Sequence, residues 1–169
     1  MNTQQQTIPA LAEKQLFIKM VLTAWEIQNK RVDNLVDTLT DDQLGKETAP
    51  GRNTGIYIFG HLTAVNDGII PLLGLGEKLY PHLEKIFLST PDKSDLPFPS
   101  VTELKKYWKE INSTLSGHFA QMQPDQWFER HIAVSEDDFA KEPHRNKLNI
   151  LITRTNHQSY HAGQLIYLK

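Results

Sequence analysis

The chain has 169 residues, a formal net charge of −2 and no cysteine. That length suits one domain with a real core, and the near-neutral balance leaves no electrostatic footprint for nucleic acid. Without cysteine there are no disulfides, thiolate nucleophiles or thiolate zinc sites, so any metal must be held by nitrogen or oxygen. The segment from Met1 to Pro9 lacks a basic region and an apolar run, so no signal peptide is expected. No uninterrupted apolar stretch reaches the length of a bilayer span. The expected location is the cytoplasm, with neither nucleic acid nor membrane as a partner.

Residues 8–39 read as a first helix, with Thr7 as its cap and Pro9 in the first turn, where a missing N–H does no harm. Its apolar stripe is Leu11, Ile18, Leu22, Trp25, Val32, Val36 and Leu39, which gives one buried face. Asn29 falls on that stripe as a polar residue, either satisfied locally or facing an internal site. Residues 40–52 form a connection with a turn at Pro50-Gly51. Asn53 or Thr54 caps a second helix from Gly55 to about Leu73, with Ile58, Leu62, Val65, Ile69 and Leu72 on its apolar face. His61 lies one residue from Leu62 and three from Ile58, so it too points toward the core.

Residues 80–99 carry four prolines and read as a long loop, with at most a short helix around 83–88. Ser100 and Glu103 have the spacing of a capping box. They open a third helix with the stripe Leu104, Trp108, Ile111, Leu115, Phe119 and Met122, closed by Pro124. Residues 125–147 form a second long, polar loop in which Trp127 and Phe128 are the bulky pair. Long loops of this kind in a compact domain often serve or cover a site.

The last segment, 148–169, has no proline and a single glycine, Gly163. His157 and His161 are four apart, so on a helix they sit one above the other. The spacing places them on one stripe with Ile150, Leu165 and Leu168. Four amphipathic helices, no strand-like alternation and two long connections give an all-α fold, an antiparallel four-helix bundle in one domain spanning 1–169. Such bundles place metal sites between facing helices.

A His-x-x-x-His pair also arises by chance in a chain with seven histidines, and a lone core histidine more often donates to a carbonyl. A third ligand changes the balance, and His61 supplies it. Three neutral imidazoles with open positions left on the ion are the pattern of a catalytic metal site; a structural site is closed by a fourth protein ligand. His82, His131 and His144 fall in loops and are expected to be solvated, and His118 lies beside the third stripe. Other metal chemistries are excluded by the residues themselves. The position of a zincin glutamate is Gln158, which cannot take a proton. The Glu-x-x-His pairs of di-iron bundles are missing, as are the cysteine ligands of deaminases. Gly74 to Gly76 is too short for a phosphate-cradling loop.

Two segments carry a resemblance to a known family. The stretch from Asn156 through His157, His161, Gly163 and Gln164 to Leu165 resembles the last-helix motif of the DinB/YfiT-like superfamily. The stretch from Pro50 to Leu62, with His61 after the small residue Gly60, is similar to that family's second helix. The resemblance spans the chain in length and helix order. It implies an antiparallel four-helix bundle with a three-histidine site, His61, His157 and His161, for one divalent ion. Zinc or nickel is expected first; iron and manganese are also compatible. Members of known activity include thiol-dependent S-transferases, in which the metal activates a small thiol cosubstrate, and many members form dimers.

The expected function is therefore a divalent-metal-dependent enzyme activating a thiol or water nucleophile for S-transfer or hydrolysis on a small molecule. The expected partners are that small molecule, a low-molecular-weight thiol and a second copy of the chain. The alternative is a non-enzymatic metal-binding or stress-response module whose metal is structural or vestigial. A fourth protein ligand or a filled core at the ion would favour the alternative. Gln164 and Tyr57, each one turn from a ligand histidine, are expected to support the site by packing or hydrogen bonding.

Overall fold

The computed structural model describes residues 10–169, so Thr7, Pro9 and the expected start of the first helix at residue 8 lie outside the described residues. Four long helices carry the fold: α1 (Ala10–Thr38), α2 (Gly55–Asp67), α3 (Val101–Gln121) and α4 (Lys147–Leu165). Among the described residues there is no strand, only the isolated bridges Glu47–Thr54 and Arg130–Asn146. No described helix is long and apolar enough to cross a membrane.

The helix starts are written locally. Thr54, Ser100 and Asn146 each accept a hydrogen bond from the backbone N–H three residues on, and Ser100 and Glu103 complete the expected capping box. These side chains satisfy donors that the first turn leaves unpaired. The second helix ends sooner than its periodicity predicts: it stops at Asp67, and a separate turn covers Ile69–Leu72. Pro71 explains the break, because it has no N–H for the Asp67 carbonyl and its ring crowds that group. The Asp67 carboxylate, itself buried, accepts from the N–H groups of Leu79 and Tyr80, both at 2.8 Å, and ties down the start of the irregular segment.

The 80–99 stretch holds the short helix His82–Phe87. The 125–147 loop is more structured than expected. It contains a 3-10 turn at Pro124–Phe128 and a helix at Glu136–Lys141, capped by Ser135 with three acids in its first turn.

The core divides into two clusters. One end of the molecule packs Val32, Leu35, Val36 and Leu39 of α1 with Tyr57, Ile58 and Leu62 of α2, Leu104 and Trp108 of α3, and Ala162 and Leu165 of α4. The other end packs Ile18, Val21 and Trp25 with Ile69, Ile111, Leu115, Phe119, Leu148 and Leu151. These memberships give the directions of the helices. α1 and α4 run the same way and pack together; α2 and α3 run the opposite way. The antiparallel relation thus holds between two parallel pairs. Leu11 is a correction to the expected stripe: it is 56% exposed. The first residues of α4, from Lys147, are level with Ile18 and Val21, so α1 extends past its neighbour at that end.

At the boundary of the clusters lies one amide from each long helix. Gln158 Nε2 donates to Asn29 Oδ1 at 2.8 Å and to Asn66 Oδ1 at 3.3 Å, and Asn66 Nδ2 donates to Asn112 Oδ1 at 2.9 Å. Asn66 and Gln158 are fully buried. Buried amides of this kind must be hydrogen-bonded to be tolerated, and the bonds hold the four helices at one level.

Candidate metal centre

The buried line of α4 is Leu148, Leu151, Thr155, Gln158, Ala162 and Leu165. This corrects the expected stripe at Ile150, His157 and His161, each one position short of the buried line, while Leu165 and Leu168 are buried as expected. His157 and His161 are not in the middle of the buried face but on its flank, each partly exposed, where α2 passes alongside and presents His61. The three histidines named from the sequence are brought together: one ring nitrogen from each lies within 4.8 Å of the other two. His157 Nε2 is 3.1 Å from His61 Nε2 and 3.1 Å from His161 Nε2. Nitrogens each about 2.1 Å from one ion stand roughly 3.0–3.4 Å apart in octahedral or tetrahedral coordination, so these spacings fit a shared cation.

The protons decide what the cluster can do. His61 Nδ1 is 3.0 Å from the Phe87 carbonyl oxygen, which can only accept, so that ring carries its proton on Nδ1. His161 Nδ1 is 2.6 Å from Gln164 Oε1 and carries its proton there for the same reason. Both neutral rings therefore present a bare Nε2 lone pair. Only His157 can place a proton between them, and one proton cannot bond well in two directions. Its Nδ1, meanwhile, is buried with no partner among the described residues. A cation accepting all three lone pairs satisfies the three Nε2 atoms; protons do not. Burial first, and the neighbouring charges of His161, His61 and Arg154 next, push His157 down to about 4. Burial likewise lowers His161, against the hydrogen bond to Gln164. His157 and His161 are thus biased toward the unprotonated form that ligation requires.

The surroundings explain the residues beside the ligands. A Cβ on Gly60 would run into the Phe87 ring, so the small residue before His61 lets Phe87 close over α2 and bring its carbonyl to the imidazole. Tyr57, expected as a support, acts one step further out: its hydroxyl donates to the Thr90 carbonyl at 2.7 Å and holds the loop that carries Phe87. Gln164 contacts His161 directly, as expected. Gln158 is a core amide, which is why a glutamate there would serve no ion. The Phe87 carbonyl was not foreseeable from residue types, because a backbone group in a loop has no sequence signature.

The remaining histidines separate as follows. His82 and His144 are exposed and His118 is partly so. His131 is a correction: it is 8% exposed, with its pKa lowered by desolvation and by Arg145. The loop around it folds back on the helices, with Ile132 N–H on the Leu72 carbonyl and Lys147 N–H on the Glu129 carbonyl.

A cleft of about 560 Å³ lies at the start of α4, lined by Leu73, Ile132, Phe139 and Lys147 among others. Lys147 is ten residues before His157, roughly 15 Å along the helix, so this cleft is separate from the histidines. No curated protein matches the chain. A protein-family model does match, over residues 24–165, and its span takes in His61, His157 and His161. The chain belongs to the DinB superfamily.

Proposed function

We propose that the chain is a divalent-metal-dependent enzyme. His61, His157 and His161 hold one ion, zinc or nickel before iron or manganese, and the centre activates a thiol or water nucleophile for S-transfer or hydrolysis on a small molecule. The observation that carries this is the convergence of three Nε2 atoms, two of them stripped of protons by the Phe87 carbonyl and Gln164. When bound, a divalent ion supplies Lewis acidity, which brings a coordinated water or thiol toward its anion at neutral pH.

Two further observations favour this over a structural metal. The group of potential ligands contains no fourth histidine or acid among the described residues, and an ion held by three protein ligands keeps a position open. The two apolar clusters and the amide bonds between the helices also form without the histidines. The helices therefore have their packing independently of an ion. The chain's own residues lower the pKa of His157 and His161, fix which nitrogen of His61 and His161 faces the centre, and leave the centre partly exposed.

The test is a screen of small thiols against electrophilic acceptors, using protein loaded with zinc or nickel and chelator-treated protein as the control. Turnover is expected with the loaded protein and lost in the control and in His157→Ala. Turnover of equal rate in all three would contradict the proposal.

A further inference from the structure

The face of α4 that carries the ligands also carries a cation. Arg154 precedes His157 by three residues and His161 by seven, so all three lie along one side of the helix. Arg154 stands about 4.5 Å of helix rise from His157, one turn before it. The side chain is half-buried, and its Nε is shut off from solvent without a hydrogen-bond partner. It is the only guanidinium or ammonium nitrogen in that condition among the described residues.

Among the described residues no acid lies within ion-pair distance of it. Arg130, Arg145 and Lys147, the other cations at this end of α4, are each paired with a glutamate: Glu136, Glu142 and Glu129. Arg154 makes no ion pair among the described residues. Exposed cations often stand alone because water solvates them. A cation with a desolvated Nε does not have that compensation, and a buried donor left unmade costs free energy. A guanidinium is also the group best shaped to take a carboxylate in its fork.

We propose that Arg154 is the anion-recognition residue of the histidine centre, binding the carboxylate of the small molecule that approaches His61, His157 and His161. The inference rests on the metal-centre proposal for what that molecule reaches, and not for the carboxylate contact itself. The substrate class is thereby narrowed to small acids whose reacting group lies a few bonds from the carboxylate.

Two arms test it. In the first, propionate is titrated into chelator-treated protein while the Arg154 Nε–H resonance, identified by its loss in Arg154→Lys, is followed by NMR. The resonance is expected to move and to saturate; a resonance that stays in place overturns the inference, whatever the metal does. In the second, 3-mercaptopropionate and 3-mercapto-1-propanol are compared by calorimetry on zinc-loaded protein. The acid is expected to bind about tenfold or more tightly than the alcohol, as a charge-assisted contact implies.

Arg154→Gln should bring that ratio to about one with zinc content and alcohol affinity unchanged. Arg154→Lys should keep part of it and guards against a folding defect in the glutamine variant. Equal affinities in the unsubstituted protein, or a ratio that survives Arg154→Gln, would overturn the inference. If the unsubstituted protein takes up no zinc, the metal-centre proposal fails and the propionate titration alone decides the role of Arg154.

Discussion

Positions 157 and 158 are neighbours in the chain and belong to two different polar clusters. Gln158 turns inward to Asn29 and Asn66, and through Asn66 to Asn112. His157 turns toward α2, and His61 on that helix and His161 one turn along α4 point bare nitrogens at it. Both clusters draw on α2 and α4. The amides pair donor with acceptor, although Gln158 Oε1 and Asn112 Nδ2 keep no partner among the described residues. The imidazoles are alike, acceptor against acceptor, and need something from outside. Polar groups that pair donor with acceptor hold a fold; polar groups that converge acceptor on acceptor make a site. The comparison also explains why the centre sits on the flank of the core, since a ligand has to reach it.

The largest effect expected from breaking one side of this comparison is at Asn66. Asn66→Ala removes an acceptor from Gln158, which is buried, and a donor from Asn112, which is partly buried, and leaves both underbonded. It should cost about 2–4 kcal/mol of stability, read by chemical denaturation, while zinc stoichiometry in the folded protein stays the same. A loss of zinc without a loss of stability would mean that the two clusters are not separable.

On the other side, Gln164→Ala frees the His161 ring to turn and to change tautomer. Metal affinity should fall by roughly 10–100-fold, measured by competition with a chromophoric chelator, and metal-free stability should hardly move. An unchanged affinity would remove Gln164 from the account.

The two glycines nearest the ligands sharpen the same distinction. Gly60→Ala pushes on the Phe87 ring and should cost about 1–3 kcal/mol by overpacking. It should also weaken metal binding, because the Phe87 carbonyl orients His61. A Cβ on Gly163 meets nothing within 4 Å, so Gly163→Ala should stabilise α4 by about 0.5–1 kcal/mol and leave metal binding alone. Thermal melts with and without zinc separate the two outcomes; equal responses at both positions would reject the role given to Phe87.

The comparison also has a pH dependence. Metal-free folded protein holds His157 unprotonated down to about 4, whereas the unfolded residue takes up its proton near 6.5. Between those values the unfolded state binds more protons, so this contribution is intact above about pH 6.5 and is lost as pH falls toward 4. His157→Gln should flatten the decline of melting temperature over that window, and parallel curves would contradict the cause assigned.

Much of this was legible in the sequence, and for local reasons. Ser100 with Glu103 and the residues around Asn146 mark helix starts through side chains that bond three residues away. His157 and His161 signal their shared face through a spacing of four, and His61 through its place beside Leu62. What could not be read depended on neighbours distant in the chain. Nothing in the stripe of α1 says that it runs parallel to α4, or that Leu11 lies beyond the end of its partner. Asn29 stood out as a polar residue on an apolar stripe. Its partners Asn66, Asn112 and Gln158 did not, because each looks like an ordinary amide until the helices are side by side. The burial of His131 likewise depends on how its loop folds back, which polar composition does not encode.

The central claim is that the three imidazoles form a site on a scaffold that is complete without it. The most direct measurement is zinc stoichiometry, by calorimetry and elemental analysis, for the unsubstituted protein and for His157→Ala, with circular dichroism on the same samples. The account predicts one ion per chain in the former, sharply reduced binding in the latter, and the same helix content in both. Full occupancy in His157→Ala would contradict the claim that these residues hold the ion, and loss of helix together with the ion would contradict the claim that the scaffold stands without it.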